Sequence, residues 1–189
     1  MGRTMPQHAA KLTYEELVLF PDDGRRHELI DGEHFMTPAP STRHQRALRE
    51  LNRLLDAFVR ERALGEVFFA PYDVVLSTHD VVEPDLLFVS HGRAGILTPD
   101  NARGAPDLVV EVVSAGSRRQ DEVLKRGLYE RAGVPEYWLV DPDAETVKVF
   151  RAEGERYGRA LLLSLRDEDV LTTPRLPGLA IPLRSIFAS

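Results

Sequence analysis

The spacing of apolar positions along the chain predicts three helices. The longest covers about residues 42–64, because leucine, phenylalanine and valine recur there every three or four positions and form one apolar stripe. Thr42 is the expected N-cap of this helix, and Gly65 ends it. Shorter helices are predicted over residues 13–20, opening at a threonine–glutamate capping box, and from about residue 117 to the glycine at position 133.

Other segments show the two-residue period of β-strands or are continuously apolar. Residues 27–36 predict a hairpin that turns at Asp31 and Gly32. Further strands are predicted at 67–70, 73–76, 82–89, 107–113, 136–140, 146–151 and 156–163. The segment 91–104 is expected to be a loop, and the proline-containing tail from Arg166 is expected to pack along the surface. This order of elements predicts an α/β fold in which helices flank a mixed β-sheet.

Length and composition are typical of one soluble domain. The chain has 189 residues, of which 43% are hydrophobic and 29% charged; we expect a flexible lead over residues 1–12 and a single domain over residues 13–189. No apolar run approaches the roughly 18 residues of a membrane span, so no membrane partner is expected. The absence of cysteine excludes disulfides and thiolate metal sites and favours the cytoplasm. The net charge of −6 argues against general binding to polyanions but allows a local basic groove.

One carboxylate interrupts the most apolar of the predicted strands. Residues 108–113 are apolar except at Glu111, and a strand buried on both faces should be apolar throughout. Burying an uncompensated carboxylate is costly, so a cation or a metal ion usually accompanies such a residue. We therefore expect Glu111 to face a functional site.

A second carboxylate, Asp85, stands where the predicted strand 82–89 enters the core. If this strand neighbours the strand of Glu111, the two carboxylates meet across the ladder and repel each other. A shared proton or a hard divalent cation relieves such repulsion, and oxygen ligands without cysteine favour Mg²⁺ or Mn²⁺ over Zn²⁺. The alternative is structural: Asp85 caps a turn and Glu111 pairs with an arginine.

The helix that follows the strand of Glu111 offers a cation. Asp121 and Lys125 are four residues apart and share one helix face. Lys125 could therefore reach the two carboxylates and stabilise negative charge that develops during a reaction. The alternative is a solvent-exposed Asp–Lys pair, which contributes only a few tenths of a kcal/mol, and spacing alone favours it.

Several of these residues stand in an order that resembles a known family. The matching runs are Glu83-Pro-Asp85, Pro106-Asp-Leu-Val-Val-Glu-Val-Val-Ser114, Asp121-x-x-x-Lys125, Tyr129 and Gly133-Val-Pro-Glu-Tyr-Trp-Leu-Val-Asp141-Pro142. Over about residues 13–187 the chain resembles the Uma-type putative restriction endonuclease family, which belongs to the PD-(D/E)XK nuclease superfamily. The resemblance implies a restriction-endonuclease-like fold and metal-assisted hydrolysis of DNA phosphodiester bonds.

The resemblance also implies roles for individual residues. Asp85 matches the aspartate of the first half of the motif, and Glu111 matches the acid of the second half. Together with the carbonyl of Val112, they would hold Mg²⁺ or Mn²⁺. Val113 stands where the pattern usually has lysine, so Lys125 on the following helix is the candidate for a displaced catalytic lysine.

Three further residues are candidate additions to this site. Glu28 would add a carboxylate, His44 would contact a phosphate or act as a helper base, and Asp121 would join them from the following helix. For Glu28 the alternative is a half-exposed hairpin position, and for His44 it is a helix start without a role. Asp107 also follows a proline, but it lies on the same strand as Glu111 and is not expected to belong to the site.

Arginines on the long helix are the expected DNA contacts. Arg43, Arg46, Arg49 and Arg53 follow one another at spacings of three or four and form a basic stripe distinct from the apolar one. The alternative is a solvated face balanced by acids such as Glu50. Because one such domain offers one active site and cutting a duplex usually takes two, a homodimer is expected by analogy.

Two other functions stay open on the sequence alone. A catalytically inactive protein of the same fold would serve as a nucleic-acid-binding or assembly module, and the missing lysine at position 113 keeps this alternative open. A hydrolase of small phosphate esters would suit the acidic net charge. Such an enzyme should have a closed pocket, whereas a nuclease should have an open groove.

Overall fold

The computed structural model describes residues 10–21, 23–37, 39–114 and 116–188, which alternate between strands and helices. The strands are β1 (Arg26–Ile30), β2 (Glu33–Thr37), β3 (Gly65–Phe69), β4 (Val74–Ser77), β5 (Asp80–Val82), β6 (Leu86–Ser90), β7 (Ala102–Arg103), β8 (Leu108–Val112), β9 (Glu136–Asp141), β10 (Thr146–Glu153), β11 (Arg156–Tyr157), β12 (Leu161–Ser164), β13 (Val170–Thr172) and β14 (Ala180–Pro182). The helices are α1 (Tyr14–Leu17), α2 (Thr42–Glu61), α3 (Arg126–Arg131) and α4 (Arg184–Phe187), with a π-helical segment Gln120–Lys125 before α3 and 3-10 turns at His91–Ile96 and Leu165–Asp167. None of the helices in this described part combines the length and the apolar character that crossing a bilayer requires.

The larger sheet is mixed, and its centre carries the acids found in the sequence. Within the described residues its strand order is β11-β10-β9-β8-β6-β3, and β12 also pairs with β10. Strand β8 runs parallel to β9 and antiparallel to β6. Every residue of β8 and β9 is buried, so these two strands form the middle of the molecule. The predicted α/β fold, with helices around a mixed sheet, is confirmed.

Different elements cover the two faces of this sheet. On one face, α2 packs its apolar stripe together with residues from the C-terminal tail. The buried stripe residues of α2 are Ala47, Leu51, Leu55 and Val59. On the opposite face, Leu128 and Tyr129 of α3 pack together with apolar residues of the second sheet. The sheet is therefore buried on both sides, as the continuously apolar strand around Glu111 predicts.

The second sheet brings the N-terminal hairpin to the side of the first. Its order among the described strands is β2-β1-β5-β4-β7. Strands β1 and β2 form the predicted hairpin, and its turn residues Asp31 and Gly32 have φ angles of 53° and 74°, as this tight turn requires. The N–H of Leu12 donates a hydrogen bond to the carbonyl of Gly32 at 3.0 Å, so the end of the predicted lead contacts the hairpin. Residues 1–9 of that lead lie outside the described residues.

The prediction that the tail packs along the surface is wrong. Leu176, Leu179, Ile181, Leu183 and Ile186 are each at most 5% exposed and complete the core beside α2. The tail folds as the hairpin β13–β14 followed by α4. Prolines and short spacings hide this packing in the sequence, because no regular hydrophobic period runs long enough to predict a helix or a strand.

Two predicted strands are each divided in the structure. The strand predicted over 82–89 becomes β5 and β6, because Pro84 between them has no N–H to donate to a ladder. The strand predicted over 156–163 becomes β11 and β12. The segment 91–104, predicted to be a loop, also contains the short strand β7.

The helix bounds differ from the prediction by a few residues. Ser41 rather than Thr42 caps α2, since its hydroxyl accepts a hydrogen bond from the N–H of His44 at 3.2 Å. The helix predicted from residue 117 begins with the π-helical segment instead of a regular α-helix. The capping box at Thr13 is present as predicted.

Candidate active site

The antiparallel pairing of β6 and β8 brings two carboxylates opposite each other. Leu86 pairs with Val110, and one further step of the same register puts Asp85 opposite Glu111. Both acids are only 3% exposed. The strands that carry the two acids are therefore neighbours, which is the condition for the carboxylates to meet.

Asp85 accepts hydrogen bonds on both of its oxygens. Its Oδ1 accepts from Nη1 of Arg26 at 2.8 Å, and its Oδ2 accepts from Nε2 of His44 at 3.0 Å and from the N–H of Val112 at 2.9 Å. Burial by itself raises the pKa of Asp85, but the hydrogen bonds and charges of His44 and Arg26 outweigh it and lower the pKa to about 2. Asp85 is therefore a carboxylate anion near neutral pH.

His44 approaches Asp85 from the first turn of α2. Because an ionised carboxylate can only accept, Nε2 of His44 carries the proton of this contact. The residue is 4% exposed, and its Nδ1 has no hydrogen-bond partner among the described residues. His44 therefore contacts Asp85, and its role in the site stays a prediction. The ring is buried and contributes to the lining of the cleft beside Asp85.

Glu111 is held through one oxygen by two donors. Its Oε1 accepts hydrogen bonds from the hydroxyl of Tyr129 at 2.6 Å and from Nζ of Lys125 at 3.0 Å. Burial raises the pKa of Glu111 to about 8; the positive charge of Lys125 opposes this rise, and the negative charges of Asp121 and Asp85 add to it. The partner of Glu111 is thus a lysine rather than the arginine of the structural alternative.

Lys125 lies among carboxylates and not in solvent. Its Nζ is 2.7 Å from Oε1 of Glu28, 3.0 Å from Oε1 of Glu111 and 4.0 Å from Oδ1 of Asp121. Burial lowers the pKa of Lys125, but these three anionic neighbours raise it above its usual range, so the ammonium stays charged. The alternative of a solvent-exposed Asp–Lys pair is wrong, because both side chains are buried.

Asp121 and Lys125 both lie in the π-helical segment Gln120–Lys125, and both turn inward. A π-helix has i→i+5 hydrogen bonds, so one turn holds more residues than a turn of α-helix. Asp121 and Lys125 are buried at the two ends of this turn, whereas Val123 between them is 57% exposed. Short π-helical segments are rare and are often found at functional sites.

Glu28 connects the hairpin to the π-helical segment. It is fully buried, and besides Lys125 it accepts hydrogen bonds from the N–H of Glu83 at 2.9 Å, from Nε2 of Gln120 at 3.0 Å and from the hydroxyl of Thr37 at 3.3 Å. The alternative of a half-exposed hairpin position is therefore wrong. These contacts join the two sheets around the proposed site.

The buried acids outnumber the permanent cations at this site. The acids are Glu28, Glu83, Asp85, Glu111 and Asp121, and the permanent cations in contact with them are Arg26 and Lys125. Burial raises the pKa of Asp121 to about 6 and that of Glu83 to about 7. An excess of buried negative charge is relieved by retained protons or by a further cation.

A narrow cleft reaches this cluster from the surface. It has a volume of about 20 Å³, which is close to the space that one water molecule needs. Its lining comprises Arg26, Thr37, Pro40, His44, Asp85, Glu111, Val112, Ser114, Ser117, Asp121 and Lys125. The cleft therefore gives small ions and water access to both carboxylates but cannot enclose an organic molecule.

We expect Glu83→Gln to stabilise the protein at alkaline pH. One buried oxygen of Glu83 has no partner among the described residues, and burial, Asp73 and Glu28 together raise its pKa from 4.5 to about 7. Because the folded state binds this proton more tightly, the contribution of Glu83 to stability is present below pH 4.5 and is lost as the pH rises through 7. Thermal unfolding at about pH 5 and about pH 8 should therefore show a smaller difference in Tm for the variant than for the wild type. The exposed Glu66→Gln is the control, and an unchanged difference for Glu83→Gln would rule out its titration.

Asp107 and the arginines of α2 lie outside the cluster of buried acids. Asp107 accepts a hydrogen bond from the N–H of Ser90 at 2.8 Å and lies 3.4 Å from Arg93, away from the cleft, as expected. On α2, Arg49 and Arg53 both pair with Glu50, and Arg43 lies 3.4 Å from Asp143. In the described part of the chain no ion pair involves Arg46. Much of the predicted basic stripe is thus internally balanced.

Arg26 and Tyr129 touch Asp85 and Glu111 directly, and neither contact is predicted from the sequence. Arg26 pairs with Asp85 from the second sheet, and no local pattern predicts this contact. Tyr129, present in the matched motif but without a role, donates to Glu111. A signal for Tyr129 exists, since Asp121, Lys125 and Tyr129 follow at intervals of four along one helical face.

Comparison with known proteins identifies the family. The family model described as Uma2, "Putative restriction endonuclease", matches residues 13–184. A solved structure described as a putative nuclease belonging to DUF820, from Anabaena variabilis, is 19% identical and superimposes with a TM-score of 0.79 over 94% of this chain and 98% of that chain. This level of identity supports the fold. No curated protein matches the chain. Because the family model covers most of the sequence, the chain belongs to the Uma2 family of putative restriction endonucleases.

Proposed function

We propose that this protein is a divalent-metal-dependent endonuclease that hydrolyses phosphodiester bonds in DNA. The observation that carries the proposal is the juxtaposition of Asp85 and Glu111 on neighbouring strands, with the ammonium of Lys125 on Glu111. Membership of a family described as putative restriction endonucleases supports it. The related solved structure, whose description is that of a nuclease, supports it as well.

The oxygen donors at the site fit a hard divalent cation. Asp85 and Glu111 supply carboxylates, and the carbonyl of Val112 points to the same side of β8 as its N–H, which binds Asp85. Among the described residues no three His, Asp or Glu side chains converge on a possible metal position. The proposed set therefore consists of two carboxylates and one backbone carbonyl, and Mg²⁺ commonly completes such a set with water and substrate oxygens.

The residues around these donors have separate tasks in the proposed hydrolysis. A bound Mg²⁺ supplies polarisation of the scissile phosphate and a lower pKa of the attacking water. Lys125 keeps a positive charge in a buried position, where it stabilises the negative charge that develops on the phosphate oxygens. Arg26, on the other side of Asp85 and lining the cleft, adds a second positive charge toward the incoming phosphate.

Tyr129 and His44 orient the two carboxylates, and for Tyr129 this has a measurable consequence. Tyr129→Phe removes the hydroxyl that fixes Oε1 of Glu111, so we expect Mn²⁺ affinity to fall by about 10- to 100-fold, as for other residues that orient metal ligands. Calorimetric titration with Mn²⁺ measures this change in affinity. The control is Tyr157→Phe, because that buried hydroxyl has no partner among the described residues. Equal affinities in both variants would contradict the role of Tyr129.

Cleavage of plasmid and single-stranded DNA by the purified protein tests the proposed function. We expect cutting with Mg²⁺ or Mn²⁺ and none with EDTA. Agarose electrophoresis of supercoiled plasmid separates nicking from linearisation, so the same assay reports whether one strand or both are cut. Absence of cutting with every metal would contradict the proposal.

A catalytically inactive nucleic-acid-binding or assembly module is the second candidate. It is favoured by Arg26 and His44, which already engage both oxygens of Asp85. This module should bind DNA without cutting it and should gain no thermal stability from Mg²⁺ or Mn²⁺. The hydrolase of small phosphate esters is disfavoured, because a cleft of about 20 Å³ does not enclose such a substrate.

The proposed partners follow from the same site. DNA would lie across the cleft and along the start of α2, where Arg46 is exposed and Arg43 makes a long surface ion pair with Asp143. We further propose a homodimer, since one domain offers one site and double-strand cutting takes two. A chain without cysteine suits the reducing cytoplasm, where we propose that it acts.

A further inference from the structure

A larger pocket lies directly beside the narrow cleft. It has a volume of about 530 Å³ and shares Arg26, Thr37 and Pro40 with the cleft of Asp85 and Glu111. This volume lies in the range of about 300–1,000 Å³ that is usual for pockets holding small organic molecules. A phosphate at the mouth of the cleft would therefore have its neighbouring nucleoside beside this pocket.

The lining of the pocket combines a flat cationic group with exposed apolar surface. Nη1 of Arg25 lies 3.9 Å from the sulfur of Met36, so the guanidinium and the thioether form one continuous surface. Met36 is 51% exposed, which is unusual for a side chain of this type, and Ala39 adds apolar area. Guanidinium planes stack on unpaired nucleobases, and their charge attracts the adjacent phosphates.

The charges beside the pocket also suit a nucleotide. Arg25 is 63% exposed at its side chain, and its ion pair with Asp23 is long, at 3.8 Å, so the guanidinium is available to a ligand. Arg26 lies between the pocket and Asp85. Arg25 and Arg26 thus place two cationic side chains at the mouth of the proposed active site, where a phosphate oxygen could accept from them.

We propose that this pocket binds an unpaired nucleotide next to the phosphate at the mouth of the cleft, so that the preferred substrate is single-stranded or branched DNA. The inference rests on the proposed function and adds the structural class of the substrate. A base within an intact duplex is paired and stacked, and it enters such a pocket only after unstacking, which lowers affinity.

Binding of a short fluorescein-labelled DNA strand, and of the blunt duplex of the same sequence, tests this inference. Anisotropy is measured with Ca²⁺ in place of Mg²⁺, for the wild type, Arg25→Ala and Met36→Ala. We expect the single strand to bind about ten-fold more tightly than the duplex, and each variant to lose about ten-fold in affinity for the single strand with little change for the duplex. The matched controls are Arg166→Ala and Leu162→Ala, which remove an exposed arginine and an exposed apolar side chain elsewhere on the surface.

Cleavage of the same two DNAs with Mn²⁺ distinguishes a failure of the nucleotide pocket from a failure of the proposed nuclease function. In one outcome the wild type cuts DNA only with metal, while Arg25→Ala and Met36→Ala lose no affinity or lose the same affinity for both DNAs. That result would overturn the nucleotide pocket and leave the proposed nuclease activity intact. An absence of cleavage of both DNAs with every metal would overturn the proposed function, and with it the inference that rests on it. Metal-dependent cleavage by the wild type, with a loss of affinity in the two variants that is confined to the single strand, supports both the nuclease function and the pocket.

Discussion

Replacing Asp85 by asparagine, or Glu111 by glutamine, should reduce metal-dependent DNA cleavage by at least about a thousand-fold. Each change keeps the size of the side chain but removes the negative charge that would hold a divalent cation. In Asp85→Asn the new amide also faces the donors Arg26 and His44 with a donor of its own. The initial rate of plasmid nicking with saturating Mn²⁺ measures the loss.

Asp107→Asn is the matched control for these two variants. Asp107 is also a buried acid, next to the first residue of β8, but its contacts are the N–H of Ser90 and Arg93. This variant should cut DNA at nearly the wild-type rate. Near-normal cutting by Asp85→Asn or Glu111→Gln would remove these acids from the proposed mechanism.

Lys125→Met should have the largest effect on stability. Lys125 is the permanent cation that contacts Glu28 and Glu111, and removing one partner of a buried ion pair typically lowers the free energy of unfolding by about 3–5 kcal/mol. Cleavage should be lost as well, because the proposed charge on the transition state is no longer neutralised. Urea unfolding at several pH values measures the first effect, and plasmid nicking measures the second.

The stability of the Lys125→Met variant should increase as the pH falls. The ammonium lowers the folded-state pKa of Glu111, which is already about 8, so without it that pKa lies further above its unfolded value of 4.5. The contribution of such an acid is present below pH 4.5 and is lost as the pH rises through the folded-state pKa, so the variant should recover stability on acidification. Lys148→Met, which removes a half-exposed pair with Glu122, should cost about 0–1 kcal/mol. A similarly small loss for Lys125→Met would contradict the proposed role of the buried ammonium.

The sequence predicts those features of the site that depend on local patterns. Glu111 is recognisable because it is a charge in an otherwise apolar strand, and Asp85 because it precedes the next apolar run. Their opposition follows once the two strands are neighbours, which the register of β6 and β8 confirms. The long helix α2 is recognisable because its apolar stripe keeps one period over many turns.

Features that depend on tertiary contacts are not predictable in the same way. The pairing of Arg26 with Asp85 joins residues 59 positions apart through a second sheet. The buried tail lacks a regular period, because each of its apolar residues enters the core from a short turn or from an element of three or four residues. The π-helical segment resembles an α-helix in the sequence, and spacing alone wrongly leaves Lys125 in solvent.

The central claim is that Asp85 and Glu111 together hold a divalent cation beside the scissile phosphate. The most direct measurement is electron paramagnetic resonance of Mn²⁺ titrated into the wild type, Asp85→Asn, Glu111→Gln and Asp107→Asn, each with and without a phosphorothioate oligonucleotide that resists cleavage. The account predicts bound Mn²⁺ in the wild type and in Asp107→Asn, tighter with the oligonucleotide, and its loss in the other two variants. Equal Mn²⁺ binding by all four proteins, or none by the wild type even with the oligonucleotide, would contradict it.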